Sequence, residues 1–297
     1  MGIIPFDLLF TVAKYPSVGI KIDAESFLMQ GGGPIPNVAV GMARLGFKSA
    51  LIAPVGNDPF GKVLLDELEK DNVDISYMIV KKEATALASG WIEKSGSRTM
   101  VLSREIIVEP NDINLEQLPI PKILHLDGRD MPATLKLAKW AKENEIIVSF
   151  DIGSVRNDVS EVFPYVDHLV VADEFAFPFT KTKQAKEAIK ILSEFCSGTI
   201  VVTEGIKGST GKEASLNEFI HQKAFQVENI DTTGAGDCYH SGYLYALLHG
   251  KSLSERMLFG SAAAALKCQK AGARSGIPTE KELLTFLNNK GEYQYYA

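Results

Sequence analysis

The chain has 297 residues, 45% of them hydrophobic and 23% charged, with a formal net charge of −6. This composition is ordinary for a folded enzyme with a sizeable core, and the negative charge argues against a broad nucleic-acid surface. No apolar run approaches the roughly 20 residues of a membrane span, and the N-terminus lacks a signal-peptide pattern. The cysteines Cys196, Cys238 and Cys268 fit no metal or disulfide spacing. We therefore expect a reduced, cytoplasmic protein without nucleic-acid or membrane partners.

Asp7 and a glycine-rich stretch stand out near the start of the chain. Asp7 lies among apolar residues, where a carboxylate needs a partner: either the hydroxyl pair of a sugar or the backbone of a turn. The glycines Gly31–Gly33 permit close approach of the backbone to a ligand, and Asn37 offers a donor and an acceptor to a polyol. Asn37 also suits the N-cap of a helix predicted over Val38–Leu45, and this stretch alone favours that role.

Short apolar runs alternate with helical patterns from about Gly46 onward. Strands made continuously of Ile, Val and Leu are typical of strands buried on both faces, which indicates a mainly parallel sheet covered by helices. The alternation predicts one α/β domain over residues 1–297. The predicted units are Ser49–Val55 before Lys62–Asp71 and Ile123–Leu126 before Ala133–Glu143, then the strands Ile146–Asp151, His168–Val171 and Thr199–Thr203.

Two segments, at about residues 8–30 and 85–108, break this alternation because they are β-rich without intervening helices. In the second, apolar runs at Trp91–Ile92 and Thr99–Leu102 flank a turn over Glu93–Ser97, a pattern typical of a hairpin. These strands predict a small separate sheet that closes over a ligand or packs on a partner subunit. An edge extension of the main sheet is the alternative.

Two further segments follow predicted strands, at the sheet edge where open α/β folds bind ligands. Arg129 suits an anionic or polyhydroxy substrate, and a pairing with Asp127 or Asp130 is the alternative. The turn Thr203–Gly208 has two glycines against which a nucleotide could lie, although a plain turn between strands has the same pattern.

The most informative segment is Asp231–Asp237, which opens into an apolar helical run. Its small residues let several backbone N–H groups converge, and the helix N-terminus adds unpaired donors, so the turn can hold an anion. Asp237 falls in the first helical turn, beside that anion. A carboxylate there repels a bound anion but can take a proton from a hydroxyl that attacks phosphorus, so the pattern indicates phosphoryl transfer. An Asp that only favours the helix dipole is the alternative, and His240, one turn further on, is expected to pack against its neighbours.

Four segments, in the right order over essentially the whole chain, resemble the signatures of the ribokinase-like (PfkB-type) carbohydrate kinases. They are Gly32–Gly46, Val55–Gly61, Val202–Gly208 and Asp231–Leu244. The resemblance implies a three-layer, mainly parallel α/β fold with a small β-sheet lid made from the segments at 8–30 and 85–108. It also implies ATP and Mg²⁺ as cofactors, a small sugar as substrate, and a homodimer formed through the lid.

The resemblance assigns a role to each candidate residue. Asp237 is the base that deprotonates the sugar hydroxyl, and the anion hole consists of the N–H groups of Gly234, Ala235 and Gly236. The residues implied to bind the sugar are Asp7, Gly32, Gly33, Asn37 and Arg129. The residues implied to bind ATP are Thr203, Gly205, Gly208, Thr233 and Cys268. Asp231, Thr233 and the backbone near Gly272 fall where several members hold a monovalent cation, for which K⁺ is the candidate.

Some segments resemble particular subgroups of the family. Arg98–Leu102 and His125–Arg129 resemble parts of ketohexokinase. Gly31–Pro34, Ala265–Cys268 and Gly272–Pro278 are similar to bacterial sulfofructose kinase. Both comparisons imply a ketose with Arg129 over it, and they disagree on whether that ketose is charged.

The sequence departs from the family pattern at two places. The family's Asn-x-x-Glu, which organises the waters of Mg²⁺, corresponds here to Asp173–Ala176, so Asp173 or Glu174 is expected to substitute. Gly2–Asp7 corresponds to the end of the family's first strand, and we expect the central sheet to lack that buried strand.

The expected function is ATP-dependent phosphorylation of a primary hydroxyl of a small sugar, with fructose, sulfofructose or a related ketohexose as the substrate class. A nucleoside kinase of the same family is the near alternative, since Trp91 or Phe27 in the lid could stack on a base. A catalytically inactive sugar- or nucleotide-binding regulator is the second alternative. A dehydrogenase is disfavoured, because the sequence has no G-x-G-x-x-G fingerprint.

Overall fold

The computed structural model describes residues 1–93, 98–154, 159–216 and 218–292. The strands are β1 (Phe6–Val12), β2 (Ser26–Gly31), β3 (Ser49–Ala50), β4 (Pro54–Gly56), β5 (Val73–Asp74), β6 (Ile79–Lys81), β7 (Leu87–Glu93), β8 (Arg98–Ser103), β9 (Ile123–Leu126), β10 (Ile147–Ile152), β11 (His168–Ala172), β12 (Thr199–Thr203), β13 (Ser209–Lys212) and β14 (Phe219–Gln222). The α-helices are α1 (Pro34–Arg44), α2 (Pro59–Lys70), α3 (Met131–Glu143), α4 (Asp173–Thr180), α5 (Ala185–Leu192), α6 (Ala235–Leu248), α7 (Leu253–Cys268) and α8 (Glu280–Asn289).

The main sheet has six strands in the order β14-β13-β12-β11-β10-β9. Strands β9 to β12 run parallel, and β13 and β14 continue the sheet antiparallel at one edge. Successive residues of β11 enter different cores, because side chains alternate between the faces of a strand. Val171 packs with Phe175 and Ile189 of α4 and α5, whereas Val170 packs with Tyr243 and Met257 of α6 and α7. Helices therefore cover both faces, and the predicted three-layer α/β arrangement is confirmed.

A separate four-stranded sheet has the order β2-β1-β7-β8. Its central pair, β1 and β7, is parallel, and β2 and β8 flank the pair antiparallel. The alternative of an edge extension of the main sheet is wrong, since these strands pair only among themselves in the part of the chain that the structure describes. The β7–β8 hairpin forms as the apolar runs predict, and residues 94–97 of its predicted turn lie outside the described residues.

Two predicted elements have different bounds in the structure. The strand predicted over Ser49–Val55 is interrupted, because its ends pair with different partners: β3 with β5 and β4 with β6. The helix predicted over Val38–Leu45 begins at Pro34, since the fixed φ of proline suits the first helical turn. Gly33 is therefore the N-cap, the N-cap role for Asn37 is wrong, and Asn37 lies inside α1.

Residues 1–5 form no strand and lie between β9 and the chain that links β3 to β4. The amino group of Met1 donates to His125 O at 2.7 Å, and Gly2 N–H donates to Ile52 O at 3.2 Å. The six-stranded ladder accordingly ends at β9, beside this segment. None of the helices in the described ranges combines the length and the apolar character needed to cross a membrane.

Candidate active site

The Asp231–Asp237 segment forms a tight turn that leads directly into α6. Gly234 is the N-cap of this helix and has a φ of 78°, a left-handed conformation that favours glycine. Asp231 Oδ1 accepts the N–H of Thr233 at 2.8 Å, so a carboxylate of the turn holds the turn's own backbone. The segment therefore presents the N-terminus of a helix on a well-braced loop.

The three N–H groups expected in the anion hole differ in their surroundings. Ala235 N–H donates to Thr232 O at 3.1 Å, so it is engaged inside the turn. Gly234 and Gly236 bracket it, and the N–H of Gly236 lies in the first turn of α6, where a helix offers no backbone acceptor. An anion at this turn would be held by the helix N-terminus as much as by the glycines.

Asp237 lies in the first turn of α6 and contacts α1. Its Oδ2 accepts Nδ2 of Asn37 at 2.6 Å, and Oδ1 of Asn37 accepts Nε of Arg274 at 3.2 Å. Nη1 of Arg274 in turn donates to Oε2 of Glu67 at 2.8 Å. Because a guanidinium only donates and an ionised carboxylate only accepts, both neighbours require the same orientation of the Asn37 amide. The chain Glu67–Arg274–Asn37–Asp237 is therefore consistent in its donors and acceptors.

Asp7 and the glycine-rich loop adjoin the same arginine. Asp7 is 7% exposed, and a Cβ at Gly32 would collide with both of its carboxylate oxygens, so only glycine fits beside it. A Cβ at Gly31 would likewise collide with the guanidinium of Arg274. Burial lowers the pKa of Arg274, whereas the charges of Glu67 and Asp7, among others, oppose this shift. The structure thus brings Asp7, the glycine loop, Asn37 and Asp237 together around Arg274.

The loop after β9 holds Arg129 beside a buried acid. The carboxylate of Asp127 accepts the N–H groups of Ile3 and Arg129, each at 3.0 Å. Burial raises the pKa of Asp127, and these hydrogen bonds and the charge of Arg129 oppose that shift. Asp130, the other acid of this loop, forms an ion pair with Arg104, which follows β8. Asp127, one of the two alternative partners of Arg129, therefore interacts with its backbone and with its charge.

A second cluster lies behind the Asp231–Asp237 turn, at the C-terminal end of α7. Oδ2 of Asp231 accepts Gly272 N–H at 2.7 Å, and Asp231 O accepts Nζ of Lys267 at 2.7 Å. Burial alone would raise the pKa of Asp231, but the hydrogen bonds from Thr233 and Gly272 and the charge of Lys267 outweigh it and lower the pKa. Cys268 enters this cluster through its carbonyl, which accepts the N–H of Asp231 at 3.2 Å.

The Thr203–Gly208 turn connects β12 to β13. Glu204 N–H donates to Gly208 O at 2.8 Å, and the hydroxyl of Thr203 donates to Val171 O on the neighbouring strand at 3.4 Å. A Cβ at Gly208 would collide with Gln222 O of β14, so this glycine allows two backbones to meet. The turn has structural contacts of its own, and its assignment to ATP stays a prediction.

Comparisons with known proteins agree with this geometry. The model of the pfkB family carbohydrate kinases matches residues 1–280. The chain belongs to this family. It is 30% identical over 309 positions to a ribokinase of Haemophilus influenzae, covering 97% of each chain. It is 28% identical to a probable fructokinase of Arabidopsis thaliana (fructokinase-6, chloroplastic), covering 87% of this chain and 75% of that protein.

Solved structures give the same result for the fold. A ribokinase of Thermotoga maritima superposes with a TM-score of 0.84 at 27% identity, over 97% of this chain and 98% of that one. A sugar kinase of Pyrococcus horikoshii, solved in complex with ATP, superposes with a TM-score of 0.80 at 26% identity, over 98% of both chains. The predicted ribokinase-like fold is confirmed, and the protein is an ATP-dependent carbohydrate kinase of the PfkB family.

The segment that corresponds to the family's Asn-x-x-Glu differs from that pattern in sequence. Asp173 and Glu174 stand in the first turn of α4, where Asp173 is half-buried and Glu174 is exposed. Ala176, at the position of the family's glutamate, is buried in the core. Carboxylate oxygens suit Mg²⁺ and its bound waters, so the donor chemistry of Asp173 and Glu174 fits the ion. No group of three or more His, Cys, Asp or Glu side chains that could hold a metal occurs within the described ranges.

Sequence reasoning missed two buried cations of the kinase, Arg274 and Lys267. Both lie in segments that resemble sulfofructose kinase, and both interrupt runs of small or apolar residues. A cationic residue in such a run is a signal of a buried charge, because these residues are rarely buried without partners. His240, by contrast, is 4% exposed and pairs through Nε2 with Asp151 Oδ1 at 3.1 Å, so it packs against its neighbours as predicted.

Proposed function

We propose that this kinase transfers the γ-phosphoryl group of ATP to a primary hydroxyl of a small ketose, with Asp237 as the base. The observation that carries the proposal is the contact between Asn37 and Asp237. It joins the residues suited to sugar hydroxyls, on β1, the glycine loop and α1, to the helix N-terminus suited to a phosphoryl group. A hydroxyl bound beside Asn37 would lie within reach of both the base and the anion hole.

The chemistry is an in-line displacement at phosphorus. Asp237 takes the proton of the sugar hydroxyl, the hydroxyl oxygen forms a bond to the γ-phosphorus, and the bond to the bridging oxygen of ADP breaks. The N-terminus of α6, with Gly234 and Gly236, offers donors to the equatorial oxygens as charge builds up on them. Mg²⁺ supplies charge neutralisation on the phosphates when it is bound, and we assign its waters to Asp173 and Glu174.

ATP is assigned to the edge of the main sheet between the Thr203–Gly208 turn and the end of α7. A relative that superposes over 98% of this chain was solved with ATP, which supports the same nucleotide here. Thr233 and Cys268 adjoin that edge through the Asp231 cluster. The cysteines of the described residues are free thiols, which fits a reducing compartment, and we assign the kinase to the cytoplasm.

The substrate class we favour is a ketohexose, either neutral or carrying an acidic group. A relative named as a fructokinase supports a ketose. Arg129 would contact the substrate from the loop after β9, while Asp7, Gly32, Gly33 and Asn37 would take its hydroxyls. The nucleoside alternative is not favoured, since Phe27 and Trp91 both pair with Phe10 and so lie on the sheet face opposite to Asp7. Aromatic rings on that face would not stack on a base held by Asp7.

The four-stranded sheet would serve both as a lid and as the contact of a homodimer. The face that carries Asp7 would cover the sugar. The opposite face carries exposed apolar side chains, with Phe27 48%, Met29 55% and Val101 55% exposed. An apolar sheet face of this kind is stable when it is covered, and a second copy of the chain can cover it with the same face.

The test is a screen of ATP consumption over ketoses, aldoses, sugar acids, sulfofructose and nucleosides, with Mg²⁺ present. We expect turnover with a ketose, and Asp237→Asn should lower kcat by at least about 100-fold, because a general base is lost. Glu255→Gln, in the first turn of α7 and away from the site, is the matched control and should keep its kcat. Turnover with nucleosides alone would exclude the ketose, and a fully active Asp237→Asn would exclude the mechanism.

A further inference from the structure

Lys267 is a fully buried lysine whose ammonium group connects two backbone segments. Its side chain is among the largest with almost no exposure in the protein. Nζ donates to Asp231 O at 2.7 Å and to Lys270 O at 3.0 Å. Asp231 begins the anion-hole turn, and Lys270 belongs to the segment that leads to Gly272. A positive charge therefore sits between two backbone carbonyls directly behind the proposed phosphoryl site.

A lysine near a helix C-terminus usually extends into water and interacts with the helix only at its surface. Lys270 does so, since its ammonium is within 3.8 Å of Glu282 and its side chain is 55% exposed. Lys267 points inward instead, although burying an ammonium is costly unless its donors and charge are satisfied. The two carbonyl oxygens accept its N–H donors, and the neighbouring carboxylate of Asp231 balances its charge. The ammonium of Lys267 therefore links the two backbone segments, and we call this link the brace.

Backbone carbonyls and a carboxylate around a positive charge are also what a monovalent cation binds. The resemblance to the family suggests such a cation at Asp231, Thr233 and Gly272. The residues present do not fit it, because Asp231 O and Lys270 O already accept the ammonium of Lys267. The two carboxylate oxygens of Asp231 accept the N–H groups of Thr233 and Gly272. A second positive charge in this cluster would be repelled by the first.

We propose that the ammonium of Lys267 takes the place of the monovalent cation, so that this kinase needs no K⁺ for activity. The ammonium holds the Asp231 turn against the 270–273 segment, which passes so close to Gly234 that a Cβ at this position would lie 3.1 Å from Ala273 O. That brace fixes the N–H groups of the anion hole before substrates bind, as electrostatic preorganisation requires. The activity part of this inference rests on the proposed function.

The first experiment measures wild-type kcat with a sugar from the screen, in tetramethylammonium buffer and then with added KCl. We expect the two kcat values to agree within about twofold, since the brace is built into the chain. Activation of the wild type by K⁺ of tenfold or more would overturn the proposal without any variant.

The second experiment replaces the ammonium. Lys267→Ala removes the charge and leaves space at the carbonyls, so kcat without K⁺ should fall by about 100-fold and should recover when K⁺ or NH₄⁺ is added. Lys267→Met removes the charge but fills the space, so it should lose activity and not recover. Arg256→Ala, which removes a buried cation at the other end of α7, should show no response to K⁺. Equal responses of Lys267→Ala and Arg256→Ala would contradict the proposal.

A binding measurement separates this inference from the proposed function. Thermal unfolding of Lys267→Ala should shift to higher temperature with K⁺, because a bound cation stabilises the folded state, whereas the wild type should not shift. This readout needs no sugar and no turnover. If the wild type turns over no sugar in the screen, but K⁺ raises the Tm of Lys267→Ala and not that of the wild type, the ketose-kinase proposal is refuted and the proposal for Lys267 stands. If the wild type is active and K⁺ affects the Tm of both proteins alike, only the proposal for Lys267 is refuted.

Discussion

Asn37 and Asp237 are 200 positions apart in the chain, and their side chains meet at 2.6 Å. One is the residue of α1 that we propose binds a sugar hydroxyl, and the other is the proposed base at the start of α6. In the proposed mechanism this contact links substrate binding to proton transfer, since the amide that would bind the sugar also donates to the carboxylate of the base. Arg274 completes the arrangement by holding the carbonyl oxygen of that amide at 3.2 Å.

Replacing Asn37 with Ala should therefore impair both steps. We expect kcat to fall by about tenfold or more and the KM for the sugar to rise, while the KM for ATP stays within about twofold. Steady-state kinetics with each substrate varied in turn would measure this. A change confined to the KM of the sugar would mean that Asn37 binds substrate without orienting the base.

Arg274 is expected to act through Asn37. Arg274→Met removes the donor that fixes the amide, so kcat should fall by about tenfold or more, and Arg274→Lys should recover part of it. Arg256→Met is a matched control, since the side chains of Arg256 and Arg274 are 9% and 7% exposed and each pairs with one glutamate. If both Met variants lose stability alike and neither loses kcat, Arg274 is only a structural residue.

Arg129 should affect the sugar more than the nucleotide. We expect Arg129→Ala to raise the KM for the sugar at least about tenfold, because a charge-assisted contact is lost, and to change the KM for ATP little. A larger effect on acidic than on neutral ketoses would indicate that the natural substrate is charged. Equal effects on sugar and ATP would place Arg129 elsewhere in the mechanism.

His168 should make the fold sensitive to acid. Burial, with a smaller effect from the charge of Arg256, lowers the pKa of His168 to about 4, and Nδ1 lies 3.0 Å from the Tyr243 hydroxyl. An unfolded histidine has a pKa near 6.5, so between these values the unfolded state binds more protons and stability falls as the pH falls. At pH 5 the loss from this residue is about 2 kcal/mol. Urea unfolding at pH 7 and pH 5 should show a smaller loss for His168→Gln than for the wild type, and equal losses would refute the assignment.

The exposed face of the four-stranded sheet should control assembly. Val101→Lys places a charge on that face, so the protein should shift from dimer to monomer in analytical ultracentrifugation. Ile120→Lys changes an apolar residue that is 61% exposed and outside the sheet, and it should leave the dimer intact. A wild type that is monomeric at micromolar concentration would remove the dimer proposal.

Much of the fold could be predicted from local patterns. Runs such as Leu169–Val171 are apolar throughout because both faces of the sheet are covered, and Asp237 falls in the first turn of α6 as the small residues before it indicate. The split of Ser49–Val55 into β3 and β4 depends on which strands lie beside it, and no local pattern specifies that. Pro34 could have indicated the start of α1, because proline is favoured in the first turn of a helix. The glycines before it are typical of a loop and favour a later start.

The candidate site was harder to predict because its contacts join distant segments. The residues around Asn37 favour an N-cap, and nothing near it in the sequence indicates that its partner is Asp237, 200 positions away. The role of Lys267 depends on the direction of its side chain at the end of α7, which the sequence does not reveal. Charged residues inside apolar segments were the available signal, and their partners emerge only when the chain is folded.

Two strands of the small sheet adjoin the residues that we propose bind the sugar. Asp7 is the second residue of β1, and Gly31, the last residue of β2, leads directly into Gly32 and Gly33. A rigid rotation of this sheet would therefore carry Asp7 and the glycine loop away from Asp237, which stays on α6. Lifting the sheet would separate the residues proposed to bind the sugar's hydroxyls from the proposed base in the same motion. Opening for product release would therefore also stop catalysis until the next sugar binds and the sheet closes again.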